Sequence, residues 1–132
     1  MPVLLPASSS AVLAPLLRTD AECCVWWATP VECQSALFRV NREGRLAASL
    51  LDHGLRRLRD LMDDVDVVAP TAHVRERAGR LLRTHALRAA DALQLAAALA
   101  WCDDRPAGAT FVCLDERLSQ AARGEGFTIA PA

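Results

Sequence analysis

Three acids stand out in this chain by their place rather than their number. Asp91 lies in "LRAADALQLAAALAWC", Leu87 to Cys102, between Ala90 and Ala92, in a stretch that is apolar on almost every side. A buried carboxylate without a partner is costly, so Asp91 needs a compensating group. Asp115 ends the apolar run "FVCLD", at what becomes the carboxyl edge of a sheet, where α/β proteins place their ligands. Glu32 falls in the first turn of a helix that follows another strand, so it too can face that edge. Carboxylates that converge repel one another and raise each other's pKa unless a cation lies between them. An oxygen-lined acidic pocket suits Mg²⁺ or Mn²⁺, and the chemistry that follows is metal-assisted attack of water on a phosphodiester. Each acid also has a local role open to it. Glu32 can close a capping box, Asp115 can cap the helix that starts at Glu116, and Asp91 can pair with an Arg such as Arg88.

The elements that must position these acids are readable from periodicity and punctuation. "PVLL" is a short apolar strand ended by Pro6, and "SSSAVLAPLL" a serine-capped helix start limited by Pro15. "ECCVWW", Glu22 to Trp27, is rich in strand formers. Thr29 to Gly44 is the best-marked helix, with Thr29 as N-cap, Pro30 in the first helical position, Glu32 at the capping-box place and Gly44 as terminator. An amphipathic helix follows, with Leu46, Leu50, Leu51, Leu55, Leu58 and Leu61 at three-and-four spacing. "VDVV" is a strand, and Asp63 to Asp66 a charged turn outside the site. Pro70 opens the helix "TAHVRERAGRLLRTH". The helix Leu87 to Cys102, apolar nearly all round, belongs in the core. "TFVCLD" is a strand, "ERLSQAARGEG" a helix and "FTIA" a last strand. Strands that are continuous apolar runs, alternating with helices, predict an α/β fold: a three-layer α/β/α sandwich around a mainly parallel central sheet, as one domain over residues 1–132.

Composition excludes several classes. At 52% hydrophobic and 23% charged, the chain reads as globular rather than disordered. No apolar run approaches the ~20 residues of a membrane span, and the opening lacks the pattern of a secretory signal, so a cytoplasmic protein with no membrane partner is expected. The net charge of −1 requires any anionic partner to be drawn by a local patch. Every basic residue is Arg, a planar bidentate donor suited to phosphate. The five cysteines lack C-x-x-C spacing and nearby paired histidines, so disulfides and a zinc site are not expected.

"TPVECQSALFRVNREG", "HALRAADALQLAAAL" and "FVCLDERLSQAARGEGF" together resemble the PIN-domain nucleases, and among them the VapC-like toxins of type II toxin–antitoxin modules. The resemblance runs from about Trp26 to Phe127, and the Arg-Ala-Ala-Asp-Ala-Leu-Gln-Leu-Ala run is its most specific part. It implies a PIN-like fold, a Mg²⁺- or Mn²⁺-bound acidic site that cuts RNA, and a cognate antitoxin that blocks the site. Position by position, Glu32, Asp91 and Asp115 match three of the family's acids and are the expected catalytic and metal-binding residues. The match fails near the amino terminus. Family members follow their first strand with Asp-[Ser/Thr]-Ser-Ala. Here Ser8 stands in the Asp place, with Ser9, Ser10 and Ala11 behind it, and a one-residue slip would put Ala7 there. Neither Ser8 nor Ala7 offers a charged oxygen; the chain is then a degenerate PIN domain, a variant in which the Asp has been replaced, or one where a water or Asp20, at the far end of the first helix, stands in. Cys113 occupies a place where the family commonly has Ser or Thr.

The expected function is therefore a divalent-metal-dependent endoribonuclease of the toxin class, impaired by the lost acid. The alternative is a catalytically inactive PIN-like module that binds an antitoxin or RNA. Ser10, at a helix start, and Arg88 are expected supports of the site. Arg75, Arg77, Arg80, Arg83 and Arg88 are the candidate RNA contacts, unless they form an ordinary solvated helix face. A homodimer is expected, with Trp26, Trp27 and the Leu-rich second and third helices as its apolar surface, unless these residues are core.

Overall fold

In a computed structural model of the chain, the described residues are the backbone of Val3–Leu4 and residues 23–131. Ser8, Ser10, Ala7 and Asp20, and the helix expected over "SSSAVLAPLL", lie outside them. The described elements run β1 (Val3–Leu4), β2 (Cys23–Trp26), α1 (Thr29–Arg42), α2 (Ala48–Asp63), β3 (Asp66–Val68), α3 (Ala72–Thr84), α4 (Ala89–Trp101), β4 (Thr110–Val112), α5 (Glu116–Glu125) and β5 (Thr128–Ala130). The five strands form one sheet in the order β3-β2-β1-β4-β5. All four pairings are parallel. The sheet is thus wholly parallel, and all its carboxyl ends open on one edge.

Side chains alternate across this sheet and divide the core in two. Cys24 and Trp26 of β2, Phe111 of β4 and Ile129 of β5 pack with Val74, Ala78 and Leu81 of α3, with Leu95 to Leu99 of α4, and with Leu118, Ala121 and Ala122 of α5. Cys23, Val25 and Val112 point the other way, toward Leu61 and Met62 at the end of α2. Helices therefore cover both faces, which is why β2 and β4 are buried along their whole length and read as unbroken apolar runs. The three-layer sandwich expected from the sequence is present. The buried face of α4 extends almost around the helix, from Ala92 and Gln94 through Leu99, as its uniform hydropathy predicts.

Three expectations are corrected. The first concerns α2: none of its residues is fully buried and Leu50 is 57% exposed, so of its leucine stripe only Leu61, at the end of the helix, packs on a core cluster. The helix packs on α1 instead, where Gly54 lets Leu37 approach so closely that an added Cβ would stand 3.2 Å from Leu37 Cδ2. The second concerns the paired tryptophans. Trp26 is core, whereas Trp27, one residue on, is 59% exposed. The third concerns the start of α1: Thr29 is already helical, the N-cap is Ala28, and no side chain caps that end. At the other end Gly44 terminates α1 as expected, with φ +76°, a conformation that suits a residue without a Cβ.

Polar contacts tie the α3 layer down. Thr71 caps α3 by accepting a hydrogen bond from the Val74 amide at 3.2 Å. Arg77 stands 3.3 Å from Asp104 and 3.8 Å from Glu125, and Glu125 also meets His85 Nε2 at 2.7 Å. Arg77 is therefore committed to joining α3 to α5 and the loop after α4, and is not the free phosphate contact the sequence suggests. Arg75, Arg80, Arg83 and Arg88 remain exposed. Cys24, Cys33, Cys102 and Cys113 are unbridged thiols, and burial pushes the Cys33 thiol up to about 11. Among the described residues no helix is long and apolar enough to cross a membrane.

The two layers should respond differently to truncation. Phe111→Ala, at a fully buried ring packed 5.6 Å from Phe127, is expected to cost about 3–5 kcal/mol in denaturant unfolding. Leu50→Ala should stay within about 0.5 kcal/mol of the parent. A large loss at Leu50 would show that α2 is covered by something else.

Candidate active site

The carboxyl edge of the sheet gathers the acids through short connections. β2 ends at Trp26 and α1 starts at Thr29, which puts Glu32 in the first turn of a helix rising from that edge. β4 ends at Val112, and Asp115 follows as the N-cap of α5. Asp91 lies in the first turn of α4, so its carboxylate is at the amino-terminal end of the helix whose remainder fills the core. β1 sits between β2 and β4, so its carboxyl end opens between the starts of the Glu32 and Asp115 connections.

The three acids are electrostatic neighbours arranged as a chain with Asp91 in the middle. Burial, and then the charge of Asp115, pushes the Asp91 carboxyl above its ordinary value; Arg88 opposes this as the smallest of the three effects. Burial also raises Glu32, the Gln94 amide lowers it, and the charge of Asp91 raises it further. Glu32 and Asp91 are both half-buried, whereas Asp115 is exposed. Anionic charge is thus brought together and only weakly compensated by Arg88.

The local roles open to each acid resolve differently. Glu32 closes no capping box: the start of α1 has no side-chain cap, and its Oε1 instead accepts a hydrogen bond from Gln94 Nε2 at 3.2 Å. Asp115 does cap, since its Oδ1 accepts from the Leu118 amide at 2.9 Å. That bond engages one of two carboxylate oxygens and fixes the side chain's direction at the edge. Arg88 precedes α4 and acts on Asp91 only as a distant charge, with no ion pair to it among the described residues. Cys113 is buried, with its Sγ 3.4 Å from the Asp115 carbonyl oxygen; burial raises its thiol, hydrogen bonds with Ser119 and the Asp115 backbone lower it, and the charges of Asp115 and Asp91 raise it further.

Gln94 is the residue that sequence reasoning missed. It is 4% exposed and stands three residues after Asp91, on the same face of α4. The signal was a lone amide in a run of Ala and Leu. Thr29 is a second polar group with an unexpected place: its Oγ1 is buried and has no hydrogen-bond partner among the described residues, one turn before Glu32.

Carboxylate oxygens under mutual repulsion are the hard donors that Mg²⁺ and Mn²⁺ take. Among the described residues, however, no three His, Cys, Asp or Glu side chains form a group that could hold a metal ion. The donor set suits an ion that keeps several waters and takes only one or two carboxylates directly, which is the habit of Mg²⁺.

Residues 10–124 match the PIN domain family. The chain is 39% identical over 101 residues to Ribonuclease VapC45 of Mycobacterium tuberculosis, a match that covers 76% of this chain and 68% of that protein. Among solved structures, PAE2754 from Pyrobaculum aerophilum superposes with a TM-score of 0.68 at 21% identity, covering 98% of this chain and 89% of its own. VapBC-1 from nontypeable Haemophilus influenzae gives 0.62 at 12% identity, with 98% and 96% covered. These two likenesses bear on the fold.

The raised carboxyls make a stability prediction. A carboxyl whose pKa is higher folded than unfolded binds its proton more tightly in the folded state. It favours folding at low pH, and that contribution is lost as pH rises from the unfolded value through the folded one. For Glu32 and Asp91 the window opens in the ordinary carboxyl range and extends upward. In buffer with a chelator, Asp91→Asn is expected to melt above the parent at neutral pH, with the difference closing as pH falls to the ordinary carboxyl range. A variant that melts below the parent at neutral pH would mean that Asp91 is well compensated.

Proposed function

The chain belongs to the PIN-domain family, and from that premise we propose that it is a Mg²⁺- or Mn²⁺-dependent endoribonuclease of the VapC-like toxin class, weakened by a neutral residue at Ser8. The observation that carries the reading is the run of charge from Glu32 through Asp91 to Asp115 at the carboxyl edge of a parallel sheet. The family relationship to a protein named a ribonuclease gives that charge its use.

In this reading Glu32 and Asp91 supply carboxylate oxygens to the cation, and Asp115, held by its cap, supplies the third acid. When bound, the ion neutralises charge on the scissile phosphate and on the leaving oxygen and activates the attacking water. The buried flanks contributed by α4 keep Glu32 and Asp91 half out of bulk water, which strengthens their hold on a cation. The exposed Arg75, Arg80, Arg83 and Arg88 provide planar donors for the RNA backbone, and Ser10, outside the described residues, keeps its expected role as a phosphate support. Cation affinity rests on carboxylate charge, so a serine or alanine in the first acid's place lowers it.

The partners assigned on this reading are RNA, a cognate antitoxin protein and a second copy of the chain. Exposed Val31, Phe38 and Leu50 on α1 and α2 offer apolar surface for a protein partner, beside a groove of about 400 Å³ lined by Phe38, Leu55, Leu58 and Met62. A non-catalytic module remains the second reading, favoured by the absence of a closed three-ligand group among the described residues.

Cleavage of matched fluorescent RNA and DNA oligonucleotides under Mn²⁺ titration separates the two. The nuclease reading expects metal-dependent cleavage of RNA that Asp91→Asn lowers at least about 100-fold and Ser8→Asp raises sharply. A Ser8→Asp protein that folds, binds a partner and cuts neither oligonucleotide would leave the module.

A further inference from the structure

Gln94 occupies a position where an amide is expensive. Its neighbours along the buried side of α4 are Ala92 and Leu95 to Leu99, and the side chain is 4% exposed. An amide taken out of water in such surroundings destabilises the fold unless its donors and acceptor find partners. Among the described residues its hydrogen-bond partner is not a neighbouring carbonyl or a helix terminus but a carboxylate on another helix: Nε2 donates to Glu32 Oε1 at 3.2 Å. Sixty-two residues separate the two in sequence, so the bond joins the helix that follows β2 to the central helix of the core. Three residues separate Gln94 from Asp91, so the amide and the middle acid of the site share one face of α4.

The residue type matters. A Lys or Arg here would neutralise Glu32 and compete with a cation for it. An apolar residue would leave Glu32 free to swing between rotamers. An amide does neither. It steadies the charged carboxylate through a charge-assisted hydrogen bond, adds no net positive charge, and by engaging Oε1 leaves Oε2 directed away from the anchor.

We infer that Gln94 is a positioning residue that holds the Glu32 carboxylate for a divalent cation shared with Asp91. The inference rests on the metal-dependent reading above and goes beyond it by assigning an outer-sphere role to a neutral side chain. Groups that orient metal ligands from behind commonly change metal affinity 10–100-fold when removed.

The test is Mn²⁺ affinity, followed by the loss of the free-ion electron paramagnetic resonance signal, for the parent chain, Gln94→Met and Asp91→Asn. Methionine has nearly the volume of glutamine and a similar helix preference but no donor. Gln94→Met is expected to weaken Mn²⁺ binding about 10–100-fold, to melt no lower than the parent, and to recover RNA cleavage when Mn²⁺ is raised. A role in packing alone predicts Mn²⁺ binding within about twofold of the parent and no recovery by metal, and that result overturns the inference. If Gln94→Met does not fold, Gln94→Leu takes the same measurement. Asp91→Asn separates the two levels. Loss of Mn²⁺ binding in Asp91→Asn with full binding in Gln94→Met removes only the role of Gln94. Parent-like binding in Asp91→Asn, or no binding in the parent, removes the metal-dependent reading and the role of Gln94 with it.

Discussion

The constraint on which the rest of the structure depends is that α4 must be buried and must also carry charge. Its carboxyl-terminal three turns are the centre of the core, touching β2, α3 and α5 through small and branched side chains. Its first turn reaches the sheet's open edge with Asp91 half-buried. Nothing about the helix can be shifted to relieve Asp91 without disturbing the packing behind it. The charge stays where the core puts it, and the acids on α1 and before α5 are brought up to it by the parallel sheet. Burial outweighs the other effects on both Glu32 and Asp91, with repulsion a secondary contribution. The site is thus a by-product of where the apolar surface had to go.

Much of this was legible in the sequence, and the reasons are specific. The strands β2 and β4 announced themselves as unbroken apolar runs because helices cover both faces of a parallel sheet. α4 announced itself by the width of its apolar face. Sequence placed Asp91 inside the apolar helix and Asp115 at its strand's end, whereas Asp91 lies in the first turn of α4 and Asp115 caps α5 three residues after β4 ends. The errors arose where local chemistry and tertiary contact compete for one residue. Glu32 has the spacing of a capping box, and no local rule says that an amide sixty-two residues away will claim it. The leucines of α2 have the period of a core helix, yet only Leu61 reaches a core cluster and Leu50 faces solvent, because period reports a face and not what lies opposite. Arg77 looks like its exposed neighbours in sequence but faces Asp104 and Glu125. Gln94 went unnoticed because one amide in a run of Ala and Leu carries no period at all.

The sheet also divides labour between its faces. The α3–α4–α5 side holds the larger buried cluster and the ionic contacts of Arg77, His85 and Glu125, so it sets the positions of Asp91 and Asp115. The α1–α2 side contributes Glu32 and a smaller cluster around Val25 and Val112. Its outer surface is exposed, with Val31, Phe38 and Leu50 standing among charged side chains such as Arg39, Arg56 and Arg57. The Glu32–Gln94 bond is a polar link between the two sides at the site, beside the packing that holds each of them. Its net energy is modest, so its effect lies in fixing where the Glu32 carboxylate stands rather than in holding the layers together.

A cluster of this kind sets stability against affinity. Each carboxylate added at the edge increases attraction for a divalent ion and also increases repulsion in its absence, so the folded protein without metal becomes less stable as the folded protein with metal binds more tightly. Binding to the folded state alone returns the difference, in proportion to how far the ion exceeds its dissociation constant. On the proposed reading, a serine in the place of the first acid moves the chain along this axis toward a fold less dependent on metal and a site that binds it more weakly. Glu32 and Asp91 are already raised with the described charges alone, so a fourth carboxylate would meet acids that already resist ionisation. On the proposed reading, the neutral residue at Ser8 lowers catalytic power and strain together, and the amide of Gln94 is the kind of group that keeps Glu32 ionised and aimed while charge is scarce.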